Sequence, residues 1–520
     1  MDKFFKIRER GSSVRAEVIG GLTTFFAMAY IIFVNPNQVA AGGAGGWLVG
    51  AGADAGVMGQ IWNAVYIASI LVAIVGTLLM ALYARMPFAQ ACGMGLNAFF
   101  CTCFVSGAFF SGSDVVTGYQ SGLVIIFLSG IVFLVLSVTG LRSYIAKALP
   151  EALKQAIPAG IGMFIAFIGF QNVGLIQTNQ YTLVQFFDFH GVISKVGVDG
   201  FTWANAIAEM SPVLVAFIGL IIIGVLTHFK VKGAVIISIL ISSVLYYVLT
   251  LQVPSFDMSQ VGQSFKDFAD VGLFGLFNGE AWTSAFTAPY IGGVFSAIIL
   301  IISFCLVDMF DTIGTLYGAA SEANMLDENG DPIDVDKCML CDSVGTVTGA
   351  VLGTSTCTTF VESASGVAAG ARTGLASLVT SACFFVALFL SPLASIIPSC
   401  ATAPALIFVG VLMLKSFAKV DMTNMRAAIP AFLTLIMMPL TYSISNGIGI
   451  GAISYVLLTL LTGKYSKRDI VITIIAILFI FKLQQLQCNH NCTVITTLKV
   501  FCERSAPQSF LRCFFCYVLT

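Results

Sequence analysis

The stretch GTSTCTTFVESASG, from Gly353 to Gly366, decides the fold. Five of the six residues after Gly353 are Ser or Thr, and a carboxylate follows at Glu362. β-Branched residues such as Thr favour extended backbone over helix. Because non-helical backbone is tolerated at membrane depth only where it is buried or lines a cavity, the pattern predicts a broken segment whose open amides and carboxylate face a ligand. The alternative is a Ser/Thr-rich packing face with Glu362 at a helix end.

The rest of the chain has the composition of a membrane protein. Of its 520 residues, 58% are hydrophobic and 10% are charged, whereas soluble domains carry about 25% charged residues. The mean hydropathy is +0.95. The formal net charge of -1 excludes a polybasic nucleic-acid binder. We therefore expect an all-α polytopic membrane protein that lies in a lipid bilayer and does not bind nucleic acid.

Apolar runs predict fourteen transmembrane segments, numbered here in chain order. Each is close to the length that a helix needs to cross a bilayer, although several are short or interrupted. They are 18–34, 61–83, 88–107, 121–141, 156–176, 211–228, 233–251, 290–318, 338–352, 356–371, 374–397, 404–417, 428–444 and 446–463.

The distribution of Lys and Arg predicts the orientation of these segments. Five of the first fifteen residues are basic, and no cleavage pattern precedes the first apolar run. The connections after the even-numbered segments carry most of the remaining basic residues, whereas the loops at 35–60, 108–118 and 391–403 carry none. Since basic loops stay in the cytoplasm, we expect a multi-pass protein of the cell (plasma or inner) membrane with both termini cytoplasmic.

A long polar stretch divides the chain into two halves. The first repeat of seven segments is 1–251, the connecting outer loop is 252–289, and the second repeat of seven is 290–468. Because seven is odd, the second half must insert in the opposite orientation, which is the inverted-repeat plan of secondary transporters. Their sites lie at the membrane midplane, where matching helices are broken. The third segment of each half is polar or rich in Gly and so fits the pattern of a broken helix. Residues 469–520 follow the second repeat as an extra apolar segment and a Cys-rich tail.

Two further segments carry polar residues at depth. Segment three contains PFAQACGMGLNAFF, from Pro87 to Phe100, with Asn97 where a lipid-facing helix would have an apolar residue. Segment eight contains Asp308 and Asp311, which share a helix face and have no Lys, Arg or His beside them in the sequence. Two such carboxylates cannot both be ionised cheaply in a low dielectric. At least one is expected to hold a proton, as a proton-coupled carrier requires.

Other chemistries find no support in the sequence. No Walker motif is present, which argues against an ATP-driven pump. No nucleophile or metal constellation suggests an enzyme. Cys338 and Cys341 are spaced as in zinc sites, but no second pair of ligands lies nearby, so packing is the better interpretation. We expect neither a cofactor nor a metal.

Four runs of residues resemble the nucleobase-cation symporter-2 family, and specifically its AzgA-like branch of hypoxanthine, guanine and adenine permeases. The runs are GLTTFFAMAYIIFVNP from Gly21, GMGLNA from Gly93, VDMFDTIGT from Val307 and GTSTCTTFVES from Gly353. They fall in both halves, and the similarity covers roughly residues 1–482. The resemblance implies seven-plus-seven inverted repeats, core and gate domains, and short antiparallel strands in segments three and ten.

The resemblance also implies the ligand and the residues that hold it. A purine base would lie between the two strands and segment eight, with Glu362 matching the family's acid that bonds the ring N–H edge of the base. Asp311 matches the site position of segment eight. With Asp308, these two acids are the candidates for proton coupling.

Four further residues complete the site that the resemblance implies. Asn97 is expected to contact the base. Thr359, Phe360 and Val361 are expected to offer backbone amides, and the ring of Phe360 to stack on the base.

The sequence leaves several other functions open. An anion carrier of the same fold is disfavoured, because acids beside the site would repel an anion and segments three, eight and ten offer no Lys or Arg before Arg372. A uracil or xanthine transporter of the same fold is also compatible with the pattern, and a cation channel is less favoured. The preferred purine, the proton stoichiometry and the formation of a homodimer are not decided.

The chain departs from the family pattern at two places. Cys92 stands where the branch commonly has Pro, so the entry to the strand is expected to be less rigid. After the apolar run from Ile470 to Leu483, the family-like pattern gives way to a tail with five Cys. A zinc site formed by Cys488, His490 and Cys492 is the disfavoured alternative to a foreign terminus.

Deleting residues 484–520 is expected to leave uptake unchanged, because the family-like pattern ends before this tail. The measurement is uptake of labelled hypoxanthine by the truncated protein, normalised to the amount inserted. Loss of uptake by a correctly inserted truncation would show that the tail is functional.

Overall fold

The computed structural model describes residues 2–140, 150–179, 182–198, 200–231, 233–251, 259–322, 325, 332–390, 397–466 and 469–480. The tail at 484–520, including the three residues of the zinc alternative, lies outside the described residues. Most of the described residues are helical. The helices of the first half are α1 (Asp2–Phe5), α2 (Val14–Met28), α3 (Ile31–Val39), α4 (Trp47–Gly50), α5 (Ala55–Leu79), α6 (Met94–Phe100), α7 (Ser106–Phe110), α8 (Val115–Val138), α9 (Glu151–Asn172), α10 (Phe189–Ser194), α11 (Trp203–His228) and α12 (Ala234–Thr250).

The remaining helices begin inside the stretch 252–289 that the sequence predicts as the connecting loop, and the first two of them lie within it. They are α13 (Ser259–Asp267), α14 (Gly279–Thr287), α15 (Gly293–Glu322), α16 (Val335–Leu352), α17 (Ser363–Ala368), α18 (Gly374–Ala387), α19 (Ser399–Leu414), α20 (Met425–Leu440), α21 (Ile444–Leu461) and α22 (Ile470–Ile480). The strands among the described residues are β1 (Gln90–Cys92), β2 (Ile176–Asn179), β3 (Leu183–Phe186) and β4 (Cys357–Thr359).

The helices confirm a polytopic membrane protein. Among the described residues, eight helical stretches are long and apolar enough to cross a membrane. They are Val14–Val39, Ala55–Ala84, Val115–Val138, Glu151–Asn172, Trp203–His228, Gly293–Ile313, Ser399–Lys419 and Ile444–Leu461. Each of the fourteen predicted segments overlaps a helix or a strand followed by a helix. The fourteen-span layout itself remains a prediction.

Several helices begin one or two turns before the apolar run that predicts them. α5 begins at Ala55 rather than at 61, because the Asp54 carboxylate accepts hydrogen bonds from the N–H groups of Gly56 and Val57 at 2.7 and 3.0 Å. Asp114 caps α8 in the same way. A side chain that satisfies the free N–H groups of a first turn extends a helix beyond its apolar part.

The predicted strands in segments three and ten are confirmed. β1 and β4 pair antiparallel, with Gln90 opposite Thr359 and Cys92 opposite Cys357. Cys92, at the position of the family's Pro, is thus part of the strand. Gly93 allows this close approach, since a Cβ there would lie 2.9 Å from Cγ2 of Thr358. One strand comes from each half of the chain, so the pair joins the two halves. β2 and β3 form a separate antiparallel pair in the connection between α9 and α10.

The helices pack in two groups. The first group surrounds the β1–β4 pair and contains α2, α3, α5, α6, α8, α15, α16, α17 and α18. The second contains α9, α11, α12, α19, α20 and α21. α9 contacts both α6 and α15. The helix that carries Asp308 and Asp311 therefore lies where the two groups meet.

Within the first group, α2 and α17 approach so closely that a side chain would not fit between them. A Cβ added to Gly366 would lie 2.6 Å from the carbonyl oxygen of Gly20 and still closer to the Thr24 hydroxyl. Glycine at such contacts lets helix backbones meet in a membrane protein. This contact holds the segment that carries Glu362 against segment one.

Replacing Gly366 by Ala is therefore expected to destabilise the protein by about 1–3 kcal/mol, the usual cost of overpacking. The measurement is the melting temperature of the detergent-solubilised protein. Gly224→Ala is the matched control, because Gly224 is also helical and a Cβ there would meet nothing within 4 Å. Equal melting temperatures for the two variants would contradict this packing.

Candidate functional site

The hydroxyl-rich stretch lies inside the protein rather than against lipid. Thr354, Ser355, Thr356, Thr358 and Thr359 are all buried, and the last two belong to β4. Side chains from α3 and α6 hold the stretch by hydrogen bonds. Asn35 of α3 donates from Nδ2 to the Thr354 hydroxyl at 3.1 Å, and the Ser355 hydroxyl donates to Oδ1 of Asn97 on α6.

Glu362 lies at the end of this stretch, immediately before α17. It occupies the capping position of that helix, yet its side chain makes no capping hydrogen bond. The Tyr30 hydroxyl instead donates to its Oε1 at 2.6 Å. The carboxylate is half-buried. This geometry disfavours the alternative in which Glu362 merely ends a helix.

Asp308 and Asp311 have different surroundings although they lie on the same helix, α15. Asp308 is fully buried and accepts a hydrogen bond from the Thr346 hydroxyl at 2.7 Å. The same hydroxyl contacts the backbone of Cys357 in β4. Asp311 is half-buried, and its helix packs on α17, the helix that begins directly after Glu362. Asp308 thus supports the strand pair, whereas the carboxylate of Asp311 has no side-chain donor among the described residues.

A fourth acid, Asp342, was not predicted from the sequence. It lies on α16, is fully buried, and accepts hydrogen bonds from Nε2 of Gln90 at 3.1 Å and from the Thr312 hydroxyl. Its carboxylate therefore ties β1 to α15. The signal was present in segment nine, since a carboxylate inside an apolar run is a candidate functional residue by default.

The remaining predicted contacts are only partly available to a ligand. Asn97 is fully buried, and its Nδ2 has no partner among the described residues. The Phe360 N–H already donates to the Ala89 carbonyl at 3.0 Å, and the Thr359 backbone contacts the Asp342 carboxylate. Of the three expected amides, that of Val361 alone has no hydrogen-bond partner in the described part of the chain. The Phe360 ring is buried beside it.

The arrangement is an acidic site without a cation among the described residues. Arg372 is the basic residue that closely follows segment ten, and its Nη1 donates to the carbonyls of Val367 and Ala371 at 2.7 and 2.6 Å. It therefore caps its own segment instead of reaching Glu362. Carboxylates in such a site can accept N–H groups from a neutral polar ligand, and they disfavour an anion.

A helical polytopic membrane protein with a buried polar centre between two broken segments is a membrane transport protein by class. A family model named Xan_ur_permease, which describes a permease family, matches residues 15–450. The chain belongs to this family, the nucleobase-cation symporter-2 family. Its members are permeases, not enzymes.

Relatives of known name are similar over most of their length. The guanine/hypoxanthine permease PbuG of Bacillus subtilis is 40% identical over 467 residues, which cover 89% of this chain and 95% of PbuG. The adenine permease AdeP of Escherichia coli is 35% identical over 490 residues, which cover 93% of this chain and 96% of AdeP.

A solved structure shares the fold. The transmembrane domain of the cyanobacterial bicarbonate transporter BicA superposes with a TM-score of 0.55 at 14% identity, covering 82% of this chain and 96% of that domain. At this identity the likeness concerns the fold alone.

Proposed function

We propose that the protein imports purine nucleobases, namely hypoxanthine, guanine or adenine, by proton symport. The observation that carries the proposal is the placement of Glu362, which lies between β4 and α17, two elements that both pack on the acid-bearing helix α15. The relatives named for guanine, hypoxanthine and adenine transport support the choice of purines.

In this proposal the base lies between the paired strands and α15. Glu362 accepts the ring N–H edge of the base, and the amides of Asn97 and Val361, which have no partner among the described residues, supply donors. The buried ring of Phe360 provides an aromatic face for stacking. The amides of Phe360 and Thr359 take no part, because both are already used within the protein.

The acids divide into two kinds. Asp342 and Asp308 are fixed by side-chain donors from Gln90, Thr312 and Thr346, which suits a structural role. Asp311 lies on α15, which packs on β4 and α17 at either side of Glu362, and neighbouring carboxylates in a low dielectric cannot both be ionised cheaply. We assign the coupled proton to Asp311 or Glu362, and the buried Asp308 is a less direct candidate.

Transport requires that the site open first to one side of the membrane and then to the other. The two helix groups correspond to the core and gate of a fourteen-span arrangement, with repeats at 1–251 and 290–468 joined by the loop 252–289. Binding of base and proton lowers the charge at the site, and the core then moves against the gate. Both termini lie in the cytoplasm in this arrangement.

The alternative of an anion carrier rests on the fold shared with a bicarbonate transporter. The acidic site opposes it, because Glu362 and Asp311 would repel an anion and Arg372 is bound to backbone carbonyls. A channel would carry ohmic current, whereas the proposed carrier gives saturable uptake.

A competition assay tests the proposed function. Uptake of labelled hypoxanthine is measured in cells that lack their own nucleobase carriers, with and without a proton gradient. Unlabelled adenine, guanine, xanthine or uracil is added as the competitor. We expect the first two to compete, xanthine and uracil to compete weakly, and accumulation to need the gradient. Strong competition by uracil or xanthine would favour those bases as the substrates instead.

A further inference from the structure

We propose that Tyr30 is a positioning residue of the nucleobase site, whose hydroxyl holds the Glu362 carboxylate in the orientation that meets the base. The inference rests on the proposed function and adds a residue that is remote in sequence from the strands and from α15. Its basis is the geometry of segment one.

Tyr30 lies in the two-residue turn that separates α2 from α3 within segment one. α2 ends at Met28, α3 begins at Ile31, and Tyr30 itself is fully buried. Its hydroxyl donates to Oε1 of Glu362 at 2.6 Å. Such a distance is typical of a strong hydrogen bond from a hydroxyl to a carboxylate.

A second contact fixes segment one against the same stretch. Nδ2 of Asn35, one turn beyond Tyr30, donates to the Thr354 hydroxyl at 3.1 Å. Segment one therefore contacts the hydroxyl-rich stretch near its start and at its end. With its ring buried and its helix anchored, the Tyr30 hydroxyl has little freedom to move away from Glu362.

The hydrogen bond matters because Tyr30 supplies the side-chain donor to Glu362 among the described residues. The Glu362 side chain has several rotatable bonds and makes no capping bond to α17. Ordering a mobile glutamate when the ligand binds costs part of the binding free energy, whereas a glutamate that is already ordered avoids this cost. In the proposal, Tyr30 holds the carboxylate through Oε1 while the carboxylate meets the base.

Another buried tyrosine shows that this partner is not simply the default for a buried hydroxyl. The hydroxyl of Tyr119, which is also fully buried, donates to the backbone carbonyl of Gly353. A backbone carbonyl satisfies a phenol without involving any titratable group. Tyr30 instead donates to the half-buried carboxylate of the site.

The test compares Tyr30→Phe with the wild-type protein in uptake of labelled hypoxanthine. We expect KM to rise about tenfold, since a hydrogen bond to a charged group is lost, with Vmax per inserted carrier within about twofold of wild type. Tyr66→Phe is the matched control, because Tyr66 is also buried, lies in α5 and stacks on Trp62, and within the described part of the chain Tyr30, not Tyr66, donates its hydroxyl to Glu362. Its KM is expected to stay at the wild-type value.

Each other outcome overturns the inference. An unchanged KM, or a loss confined to Vmax, would show that the hydroxyl does not position the carboxylate. Failure of Tyr30→Phe to insert while Tyr66→Phe inserts would assign Tyr30 to folding instead. Binding of hypoxanthine by the purified variant, followed as thermal stabilisation, gives a second measure of the same affinity loss.

The two proposals fail in different ways. If the wild-type protein takes up no purine, the proposed function is wrong. If the wild-type protein transports hypoxanthine, Glu362→Gln does not, and Tyr30→Phe keeps the wild-type KM, then only the inference about Tyr30 is wrong.

Discussion

Replacing Glu362 by Gln is expected to abolish hypoxanthine accumulation while the protein still inserts in the membrane. Gln has nearly the same size, so the packing of α17 on α2 is retained. It lacks the charge, and its amide can turn a donor towards the N–H edge of the base. Losing a charge-assisted hydrogen bond and leaving a buried N–H unpaired together reduce affinity by about 100-fold or more.

The measurement is uptake of labelled hypoxanthine at a concentration near the wild-type KM, normalised to inserted protein. Glu280→Gln is the matched control, because Glu280 is exposed in the first turn of α14 and far in sequence from the site. Normal accumulation by Glu362→Gln would show that the site is wrongly assigned.

Replacing Asp311 by Asn is expected to abolish proton-driven accumulation for a different reason. Asn cannot gain or lose a proton, so a cycle in which this position is protonated with each base can no longer use the gradient. Because Asn keeps the size and polarity of Asp, exchange of internal for external hypoxanthine is expected to persist. Loss of accumulation with retained exchange separates coupling from binding.

Asp421→Asn is the control for this substitution. Asp421 lies exposed between α19 and α20, and hydrogen bonds from Thr423 lower the pKa of its carboxyl. A lowered pKa means that this carboxylate stays ionised at neutral pH and carries no proton. Its replacement should leave accumulation unchanged. Accumulation by Asp311→Asn at the wild-type level would remove Asp311 from the coupling mechanism.

Much of the fold could be predicted because the deciding signals are local. Five hydroxyl residues beside a carboxylate predicted a broken, strand-containing segment, and β4 lies there. The turn between α2 and α3 in segment one could not be predicted in this way. Between Ile19 and Val34 the sequence contains only apolar and small residues apart from Tyr30, and the hydrogen bonds from Tyr30 to Glu362 and from Asn35 to Thr354 join residues more than 300 positions apart.

The site was predicted less completely than the fold, because the sequence does not show which residues donate hydrogen bonds to a buried acid. Glu17 is fully buried, yet it accepts the backbone N–H groups of Arg372, Thr373 and Ala376 and so caps α18. Asp342 binds Gln90, which lies 252 positions away. Composition cannot separate such structural acids from Glu362 and Asp311, since the difference lies in the donors that the fold brings to each carboxylate.

The most direct test of proton-coupled purine uptake uses purified protein in liposomes. Labelled hypoxanthine is added outside, with the external solution more acidic than the interior, and uptake is followed with and without a protonophore. The account predicts accumulation above the equilibrium level under the gradient and its loss when the protonophore is present. Uptake that only reaches equilibrium, with or without the gradient, would contradict the account.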